Sequence, residues 1–583
     1  MADVCLTIDG FSVTVPEGTT ILKAARQVGV KIPTLCYLEG INEVGACRIC
    51  VVEVEGREEL VTSCNTPVEE GMVVRTNTPA VREARRMTLE LILANHPMEC
   101  PTCPRNGNCE LQNLAQQLNI RTVRIPALPR KELPLDTSTV AIIRDPNKCI
   151  VCRRCESVCH NIQTVGAIAL QGKGFAATVA PVGGRYLDET NCVQCGQCAL
   201  VCPVGAIYER DDTDKVWAAL ADPTKHVVVQ TAPAVHVTIG EMFGLPVGTD
   251  ATGKIVAALR RLGFDAVFDT NFAADLTIME EGTELLERIE KGGVLPQFTS
   301  CSPGWIKFIE HFYPELLPHV STCKSPQQMF GAIVKTYYAQ LKGINPANIV
   351  SVSIMPCTAK KFEAARPEMN ASGYRDVDVV LTSRELGRMI KEAGIDFANL
   401  PDENYDDPFG IGTGAGQIFG ATGGVMEAAL RTAYELATGK TLPKLDFVEV
   451  RGMKGIKEAS VELNGKTIKV LVAHGLGNAR LLMEKLKAGE LKDYHFIEVM
   501  TCPGGCIGGG GQPIPTTTEI REKRIAGIYE RDKNLPYRKS HENPAIKKLY
   551  EEFLGKPLSH KSHELLHTHY TPRLSWQALK AAK

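Results

Sequence analysis

Apolar and polar residues alternate near the start of the chain in a way that predicts a β-hairpin. Val4, Leu6 and Ile8 alternate with other residues, the chain reaches Asp9-Gly10, and the alternation resumes from Phe11 to Val15. A period of two on both sides of an Asp-Gly pair is typical of two strands joined by a tight turn. Helices are expected at about residues 19 to 28 and from Val81 to Ala94.

The pattern changes from about residue 225 onward. Predominantly apolar runs, at 227–229 and 349–355, alternate with helical stretches at 284–290 and 325–341. Short buried strands that alternate with helices indicate an α/β arrangement. The expected fold class is therefore a multidomain protein that combines α+β and α/β parts.

Composition sets the broad class of the protein. The chain has 583 residues and 21 cysteines, and the cysteines are clustered. This length predicts several domains, and clustered cysteines at short spacing favour metal binding over disulfides. The net charge of −2 indicates neither nucleic acid nor a membrane surface as partner, which leaves electron carriers and small molecules. We find no leader pattern and no long apolar run, and therefore expect a soluble protein in the reducing cytoplasm.

The first cysteine cluster follows the predicted hairpin and helix. Its members are separated by 10, 2 and 13 residues, and they are Cys36, Cys47, Cys50 and Cys64. Four thiolates on a loop fit a 2Fe-2S cluster, and structural zinc is the alternative. The remaining cysteine of this region, Cys5, is interpreted as a small apolar residue of the hairpin.

The second cluster combines one histidine with three cysteines. The intervals are 3, 2 and 5 residues, and the candidate ligands are His96, Cys100, Cys103 and Cys109. One imidazole and three thiolates can hold a 4Fe-4S cluster. A single histidine after a helix is usually a cap or a surface residue, but the three cysteines that follow favour ligation.

The third region contains two similar cysteine runs, offset by 43 residues. The first comprises Cys149, Cys152, Cys155 and Cys159, and the second comprises Cys192, Cys195, Cys198 and Cys202. Each run has the spacing of bacterial two-cluster ferredoxins, in which the fourth cysteine of one run binds the other cluster. We therefore predict two 4Fe-4S clusters. The ligands of one would be Cys149, Cys152, Cys155 and Cys202, and those of the other Cys192, Cys195, Cys198 and Cys159.

Three segments of the α/β region carry further candidate chemistry. They are Thr299-Ser-Cys301-Ser302-Pro-Gly-Trp305, Met355-Pro-Cys357-Thr-Ala-Lys360-Lys-Phe-Glu363, and Glu498-Val-Met500-Thr-Cys502-Pro-Gly-Gly-Cys506 followed by a glycine tract. Together they resemble the three signature motifs of FeFe hydrogenases. The first two cysteine regions resemble domains at the start of complex I and hydrogenase electron-input subunits, and residues 540–570 resemble the small-subunit tail of the family.

The resemblance implies the domain order. We expect a β-grasp 2Fe-2S ferredoxin-like domain at residues 1–80, a 4Fe-4S domain with one His and three Cys ligands at 81–125, and a two-cluster ferredoxin domain at 140–212. The catalytic domain would span 225–515 and the tail 516–583.

The resemblance also implies a cofactor, the H-cluster, in which a 4Fe-4S cubane is bridged to a two-iron subcluster that carries CO, cyanide and a dithiolate amine. Cys357, Cys502 and Cys506 would bind the cubane, with Cys506 as the bridge. Thiolates suit such clusters, and glycines allow a close backbone approach. Lys360 would donate a hydrogen bond to a cyanide nitrogen. The residues expected to surround the subcluster are Met355, Met500, Phe419, Ala232 and Pro233.

One position departs from the family pattern. The family has two adjacent cysteines before proline, whereas this chain has Cys301 and Ser302. By alignment Ser302 takes the place of the fourth cubane ligand, and Cys301 takes the place of the thiol that passes protons. The serine oxygen could bind iron, Cys301 could replace it as ligand, or the cubane could be altered. A thiolate ligand is favoured, because a serine alkoxide is much harder to form.

Candidate proton-transfer residues also follow from the resemblance. Glu281, Glu284, Ser321 and Arg288 match the family's relay from Cys301 to solvent. From the sequence alone, the stretch from Glu280 to Arg288 is better interpreted as a solvated helix face. Cys323 and the tail histidines between 560 and 569 could bind a metal, but packing or surface roles are favoured.

The sequence supplies no complete dinucleotide fingerprint, since neither glycine-rich stretch (412–416 and 475–477) has the required pattern. We therefore expect flavin or NAD(P) to be bound by partner subunits in a hetero-oligomer, with ferredoxin as another electron partner. The expected activity is reversible oxidation of H₂. The alternatives are a hydrogen-sensing or electron-relay subunit, and the iron-sulfur subunit of a quinone oxidoreductase or formate dehydrogenase.

Overall fold

The computed structural model describes residues 2–127 and 132–573. The first domain is a five-stranded sheet with one helix, Ile21–Gln27, packed on it. In spatial order the strands are Phe11–Pro16, Asp3–Ile8, Val73–Arg75, Val51–Val54 and Val61–Thr62. The predicted hairpin is confirmed, because Val4 pairs with Val15 and Ile8 pairs with Phe11 in antiparallel register.

The second domain is mainly helical. Its first helix, Pro79–Ala94, begins after Thr78, whose hydroxyl accepts a hydrogen bond from the Val81 amide. The chain then passes through a short 3-10 turn, Cys100–Thr102, into the helix Glu110–Gln117.

The two cysteine runs of the third domain are framed by two small antiparallel sheets. Ile142–Arg144 pairs with Ile207–Glu209, and Ile168–Gln171 pairs with Thr178–Pro181. Each run enters a short helix, Arg154–Ser157 or Gln197–Val201, from a residue in the left-handed conformation. A π-helical turn, Val158–Ile162, follows the first of these helices.

Two four-stranded sheets form the centre of the region predicted as the catalytic domain. The first is entirely parallel, with the strands Ala266–Asp269, His226–Thr231, Ile349–Met355 and Val379–Thr382 in that order. The second contains Gln297–Phe298, Tyr494–Met500, Lys466–His474 and Ile456–Leu463, of which only the last is antiparallel. The α/β arrangement expected from the alternating pattern is confirmed.

Helices surround both sheets and continue into the tail. The one that matters most for the site is Thr270–Lys291, called here the central helix. The other α-helices from residue 213 onward are Thr213–Ala221, Pro233–His236, Thr252–Leu262, Pro303–Phe312, Pro326–Ile333, Ala339–Lys342, Ala359–Ala364, Ser383–Glu392, Gly414–Ile418, Gly424–Thr438, Leu476–Lys487, Thr518–Asn534, Pro544–Leu549 and His560–Leu566. Val334–Tyr338 and Tyr550–Leu554 are π-helical, so the helix expected at 325–341 is divided into three segments.

The parallel strands bring the signature segments to one place. Thr231, Met355, Phe298 and Met500 end their strands immediately before or within the segments singled out in the sequence. Ligand sites in open α/β sheets lie beyond the carboxyl ends of parallel strands.

The described part of the tail lies along the catalytic domain. The Lys324 amide donates to the Leu566 carbonyl at 2.8 Å, and the Thr568 amide donates to the Thr322 carbonyl at 2.7 Å. Residues 574–583 of the predicted tail lie outside the described residues. Among the helices that the structure describes, none combines the length and apolar character needed to cross a membrane.

Candidate active site

A single cavity lies at the carboxyl ends of the two sheets. It brings together the cysteines of all three signature segments with Ser302. The predicted residues among its lining are Ala232, Pro233, Cys301, Ser302, Met355, Cys357, Lys360, Phe419, Met500, Cys502 and Cys506. Four thiols from three separate segments on one otherwise largely apolar cavity fit the donor set of an iron-sulfur group.

The glycine tract after Cys506 lies directly against neighbouring backbone. A Cβ atom on Gly508 would come within 2.1 Å of the Pro503 carbonyl oxygen, and one on Gly509 within 2.3 Å of the Pro356 carbonyl oxygen. Any side chain here would displace the segments that carry Cys357 and Cys502. The glycines therefore hold the cysteine segments together at the base of the cavity.

The ammonium group of Lys360 lies at the cavity and already donates two hydrogen bonds to the protein. Its Nζ donates to the Cys301 carbonyl oxygen at 3.0 Å and to Glu363 Oε2 at 2.9 Å. Glu363 also accepts hydrogen bonds from Ser325 and Gln327. An ammonium has three N–H donors, so one remains for a group in the cavity.

Cys301 and Ser302 differ in their surroundings. Ser302 Oγ lies 2.8 Å from Thr501 Oγ1 and accepts a hydrogen bond from the Thr501 amide at 3.2 Å. Burial raises the pKa of the Cys301 thiol well above its usual value, and the nearby Glu281 carboxylate raises it further. Ser302 is thus hydrogen-bonded to Thr501, in the segment that carries Cys502. Cys301 is a neutral thiol near Glu281.

The predicted relay residues lie in a row below Cys301. Burial, followed by the charge of Glu284, raises the pKa of Glu281 to about 8. Ser321 donates to Glu284 Oε2 at 2.7 Å, and Arg288 donates to Glu284 Oε1 at 2.7 Å. The side chain of Arg288 is partly exposed, at 14%. A protonatable carboxyl therefore separates the thiol from a charged pair that reaches towards the surface.

The prediction from the sequence alone, that the stretch from Glu280 to Arg288 is a solvated helix face, is wrong. Glu280, Glu281 and Glu284 are all buried, at 0%, 1% and 9% exposure. Neighbouring helices, Pro326–Ile333, Gly414–Ile418 and Gly424–Thr438, pack against the central helix. A helix enclosed on several sides buries even its polar face, so periodicity alone misassigns these carboxylates.

The third domain contains two further cysteine-lined cavities. One is lined by Cys149, Cys152, Cys155 and Cys202, and the other by Cys159, Cys192, Cys195 and Cys198. The structure thus groups the eight thiols across the two runs, with the fourth cysteine of each run in the opposite cavity. Ligation by these two sets stays a prediction that the geometry fits.

The thiols of the first domain meet in pairs. A hydrogen bond from the Cys47 thiol lowers the pKa of Cys36 to about 7, and one from Cys64 does the same for Cys50. The same hydrogen bonds raise the pKa values of Cys47 and Cys64, so one thiol of each pair is readily deprotonated, and ligation by all four stays a prediction. Cys5 takes no part in this group, and it is exposed rather than packed in the hairpin core.

The cysteines of the second domain lie beside the third domain. Gly205 is so close to Cys103 that an added Cβ would meet its Sγ at 2.6 Å. Cys109 precedes the helix Glu110–Gln117, and Glu110 forms an ion pair with Arg154 at 2.6 Å. His96 lies in the loop after the first helix of the domain and Cys100 in the 3-10 turn; their ligation stays a prediction.

The third domain also contacts the catalytic cavity. The Thr358 hydroxyl donates to the Gln194 carbonyl at 2.8 Å. An added Cβ on Gly510 would lie 2.3 Å from the Cys195 carbonyl oxygen. The cavity with Cys195 is therefore the accessory site next to the catalytic one.

The sequence analysis gave no role to Glu363 and did not pair Cys323 with a particular tail histidine. Glu363 is three residues after Lys360, a spacing that would have predicted the same helix face. The contact of Cys323 with His567, which are 244 residues apart, leaves no such signal in the sequence.

Comparisons with known proteins agree with this geometry. Family models match residues 2–79 (2Fe-2S iron-sulfur cluster binding domain), 85–124 (NADH-ubiquinone oxidoreductase-G iron-sulfur binding region), 148–206 (4Fe-4S dicluster domain), 225–510 (iron only hydrogenase large subunit, C-terminal domain) and 518–573 (iron hydrogenase small subunit). The chain is 55% identical to the NADP-reducing hydrogenase subunit HndD of Solidesulfovibrio fructosivorans, over 98% of this chain and 100% of that one.

Two further similarities cover the whole chain and the catalytic part. Iron hydrogenase 1 of Clostridium pasteurianum is 45% identical over 97% of this chain and 99% of its own. A structure of a variant of apo FeFe-hydrogenase HydA1 from Chlamydomonas reinhardtii is 50% identical, with a TM-score of 0.56, and covers 62% of this chain and 99% of that one. The mixed α/β multidomain prediction is confirmed, and the chain belongs to the FeFe hydrogenase family.

Proposed function

We propose that this hydrogenase interconverts H₂ with two protons and two electrons at an H-cluster in the active-site cavity. The observation that carries the proposal is the convergence of Cys357, Cys502 and Cys506 with Lys360 on one largely apolar cavity. A bound H-cluster would supply an iron position open to H₂ and an amine that moves a proton.

The protein's own residues would hold and shield this group. Cys357, Cys502 and Cys506 are the proposed cubane ligands, Cys506 also being the bridge to the subcluster. The remaining N–H of Lys360 is proposed to bind a cyanide nitrogen, since a charge-assisted hydrogen bond is strong in a dry cavity. The residues proposed to exclude water from the subcluster are Met355, Met500, Phe419, Ala232 and Pro233.

Protons are proposed to move between Cys301 and the surface through Glu281, Ser321, Glu284 and Arg288. A carboxyl with a pKa of about 8 can both accept and release a proton near neutral pH, which is what a transfer group requires.

Electrons are proposed to pass through one 2Fe-2S and three accessory 4Fe-4S clusters. The cluster that Cys192, Cys195, Cys198 and Cys159 would hold lies next to the catalytic cavity, as the contact between Gly510 and Cys195 supports. Because the relative HndD is named an NADP-reducing hydrogenase subunit, we propose a cytoplasmic hetero-oligomer with flavin- or NAD(P)-binding subunits, ferredoxin being a further electron partner.

Infrared spectroscopy on anaerobically matured protein tests the proposal directly. CO and cyanide stretching bands together with H₂ evolution from reduced viologen are the expected result. Absence of both the bands and the activity would refute it.

A second candidate, a hydrogen sensor or electron relay with little turnover, is favoured by one observation, the serine at position 302. H₂ evolution by the wild type at a rate comparable to that of Ser302→Cys would remove this support.

A further inference from the structure

Three unlike side chains meet in the interior where the tail crosses the relay. They are Glu284 on the central helix, Cys323, and His567 in the tail, and we call them the tail triad. Their carboxylate oxygen, sulfur and imidazole nitrogen all lie within 4.8 Å of one another, and all three residues are buried. Cys323 Sγ is 3.8 Å from Glu284 Oε2 and 4.0 Å from His567 Nδ1.

Backbone pairing fixes two members of the triad opposite each other. Cys323 and His567 form an antiparallel bridge, which the hydrogen bonds of Lys324 with Leu566 and of Thr568 with Thr322 close on either side. Cys323 is 0% exposed. The backbone pairing therefore places the side chains of Cys323 and His567 opposite each other.

A buried carboxylate orients the imidazole. His567 Nε2 lies 3.1 Å from Glu280 Oε2, and Glu280 also accepts hydrogen bonds from the Tyr550 hydroxyl and the Leu558 amide. With Nε2–H donating to Glu280, the lone pair of Nδ1 faces Thr322 and Cys323. Histidines that bind metals commonly donate their second N–H to a carboxylate in this way.

Negative charge is in excess around the triad. The carboxylates of Glu280 and Glu284 both face Cys323, and the pairing of Arg288 with Glu284 leaves the charge of Glu280 in excess. A divalent cation would offset this charge.

We propose that the tail triad is a binding site for a divalent cation of the Zn²⁺ type. One thiolate, one imidazole and one carboxylate are the ligands that Zn²⁺ accepts, at about 2.0–2.3 Å, and binding would release the Cys323 thiol proton to solvent. Tetrahedral geometry at those lengths places ligand atoms roughly 3.5 Å apart, so the sulfur contacts need to shorten by only a few tenths of an ångström. Thr322 would give up its hydrogen bond to Nδ1.

Metal binding would act on catalysis through Glu284, and this second step rests on the proposed function. A cation on Glu284 would compete with the hydrogen bonds from Ser321 and Arg288, so the relay would lose its acceptor. Zn²⁺ should then slow turnover without displacing iron.

The experiment measures Zn²⁺ binding to full-length, cluster-loaded protein by anaerobic equilibrium dialysis, and the ligand set by zinc K-edge X-ray absorption. The wild type should bind one Zn²⁺ with a single sulfur ligand. Cys323→Ala and His567→Gln should each bind that zinc at least tenfold more weakly and show correspondingly weaker inhibition, relative to their own metal-free rates. Iron content and thermal unfolding establish that each variant is folded.

Cys5→Ala and His569→Gln are matched controls, because both residues are exposed and lie outside the triad. Both should bind zinc as the wild type does. Equal binding by wild type and triad variants, or a zinc edge with only sulfur ligands, would overturn the site. Zinc binding in protein that evolves no H₂ would retain the site and reject only the inhibitory step.

Discussion

Gln197 Nε2 donates a hydrogen bond of 2.8 Å to the carbonyl oxygen of Gly508, which joins the third domain to the base of the catalytic cavity. Both residues are buried. Gln197→Leu would leave a buried carbonyl without its donor, a loss of about 1–3 kcal/mol in the free energy of unfolding. We expect a lower melting temperature for this variant in differential scanning calorimetry.

The control for that measurement is Gln117→Leu, since Gln117 is exposed at the end of a helix. Its melting temperature should match that of the wild type. Equal melting temperatures for both variants would show that the Gln197 contact does not stabilise the domain junction.

Two substitutions of Ser302 test whether this residue supplies the fourth ligand of the proposed cubane. Because Cys357, Cys502 and Cys506 already supply three thiols, Ser302→Cys should complete a four-thiolate set and increase the iron retained at the catalytic cubane. Turnover, measured by H₂ evolution from reduced viologen, should rise only in proportion to the iron retained.

Ser302→Ala distinguishes the possible fourth ligands. If the serine oxygen binds iron, the alanine variant loses cubane iron in elemental analysis and Mössbauer spectra. Retention of all cubane iron would instead assign the ligand to Cys301, whose thiol faces the same cavity.

Glu281 should be required for proton transfer. Glu281→Gln keeps the size of the side chain but cannot cycle a proton, so we expect turnover to fall by about 10²–10⁴-fold. Glu290→Gln, an exposed carboxylate on the same central helix, should retain wild-type turnover. Infrared bands of an intact H-cluster in Glu281→Gln would show that the loss concerns proton transfer and not assembly.

The same residue predicts a pH dependence of stability. Burial raises the pKa of Glu281 from 4.5 to about 8, so between these values the folded state holds a proton that the unfolded state has lost. This contribution to stability is complete below pH 4.5 and is lost as the pH rises through 8, by up to about 1.4 kcal/mol per pH unit. The melting temperature of the wild type should therefore fall more steeply from pH 5 to 8 than that of Glu281→Gln, and parallel curves would contradict the assignment.

Lys360 is predicted to have separable roles in stability and activity. Lys360→Met leaves Glu363 as a buried carboxylate without its cation, which typically costs about 3–5 kcal/mol. Lys360→Met combined with Glu363→Gln removes that charge, and should recover most of the melting temperature. Activity should remain low in both variants, because neither offers the third N–H to the cavity. Recovery of H₂ evolution in the double variant would refute this role of Lys360.

The sequence predicted those parts of the molecule that depend on short spacing. Cysteines separated by two residues lie on the same loop. Strands in which apolar and polar residues alternate, such as the hairpin that contains Val4 and Phe11, form as expected. The cavity residues that follow strand ends, including Cys357 and Cys502, were also found, because a signature segment keeps its place at the end of a parallel strand.

The remaining parts depend on packing between distant segments. Burial of Glu281 results from helices that enclose the central helix, and the pattern within that helix does not reveal them. The meeting of Cys323 with His567 requires the tail to pair with residues 322–324. The π-helical segments Val158–Ile162, Val334–Tyr338 and Tyr550–Leu554 likewise have no clear signal in local composition.

Asn42 connects the first domain to the third domain through hydrogen bonds to both. Its amide is fully buried and donates both to the Cys36 carbonyl at 2.7 Å and to the Cys152 carbonyl at 3.1 Å, and it accepts from Ser157 at 2.7 Å. One side chain thus connects the loops that carry Cys36 and Cys152, which we propose as ligands of two different iron-sulfur clusters. Because tunnelling rates fall exponentially with separation, a shift at this residue would slow the proposed electron transfer from the first domain without removing any cluster ligand.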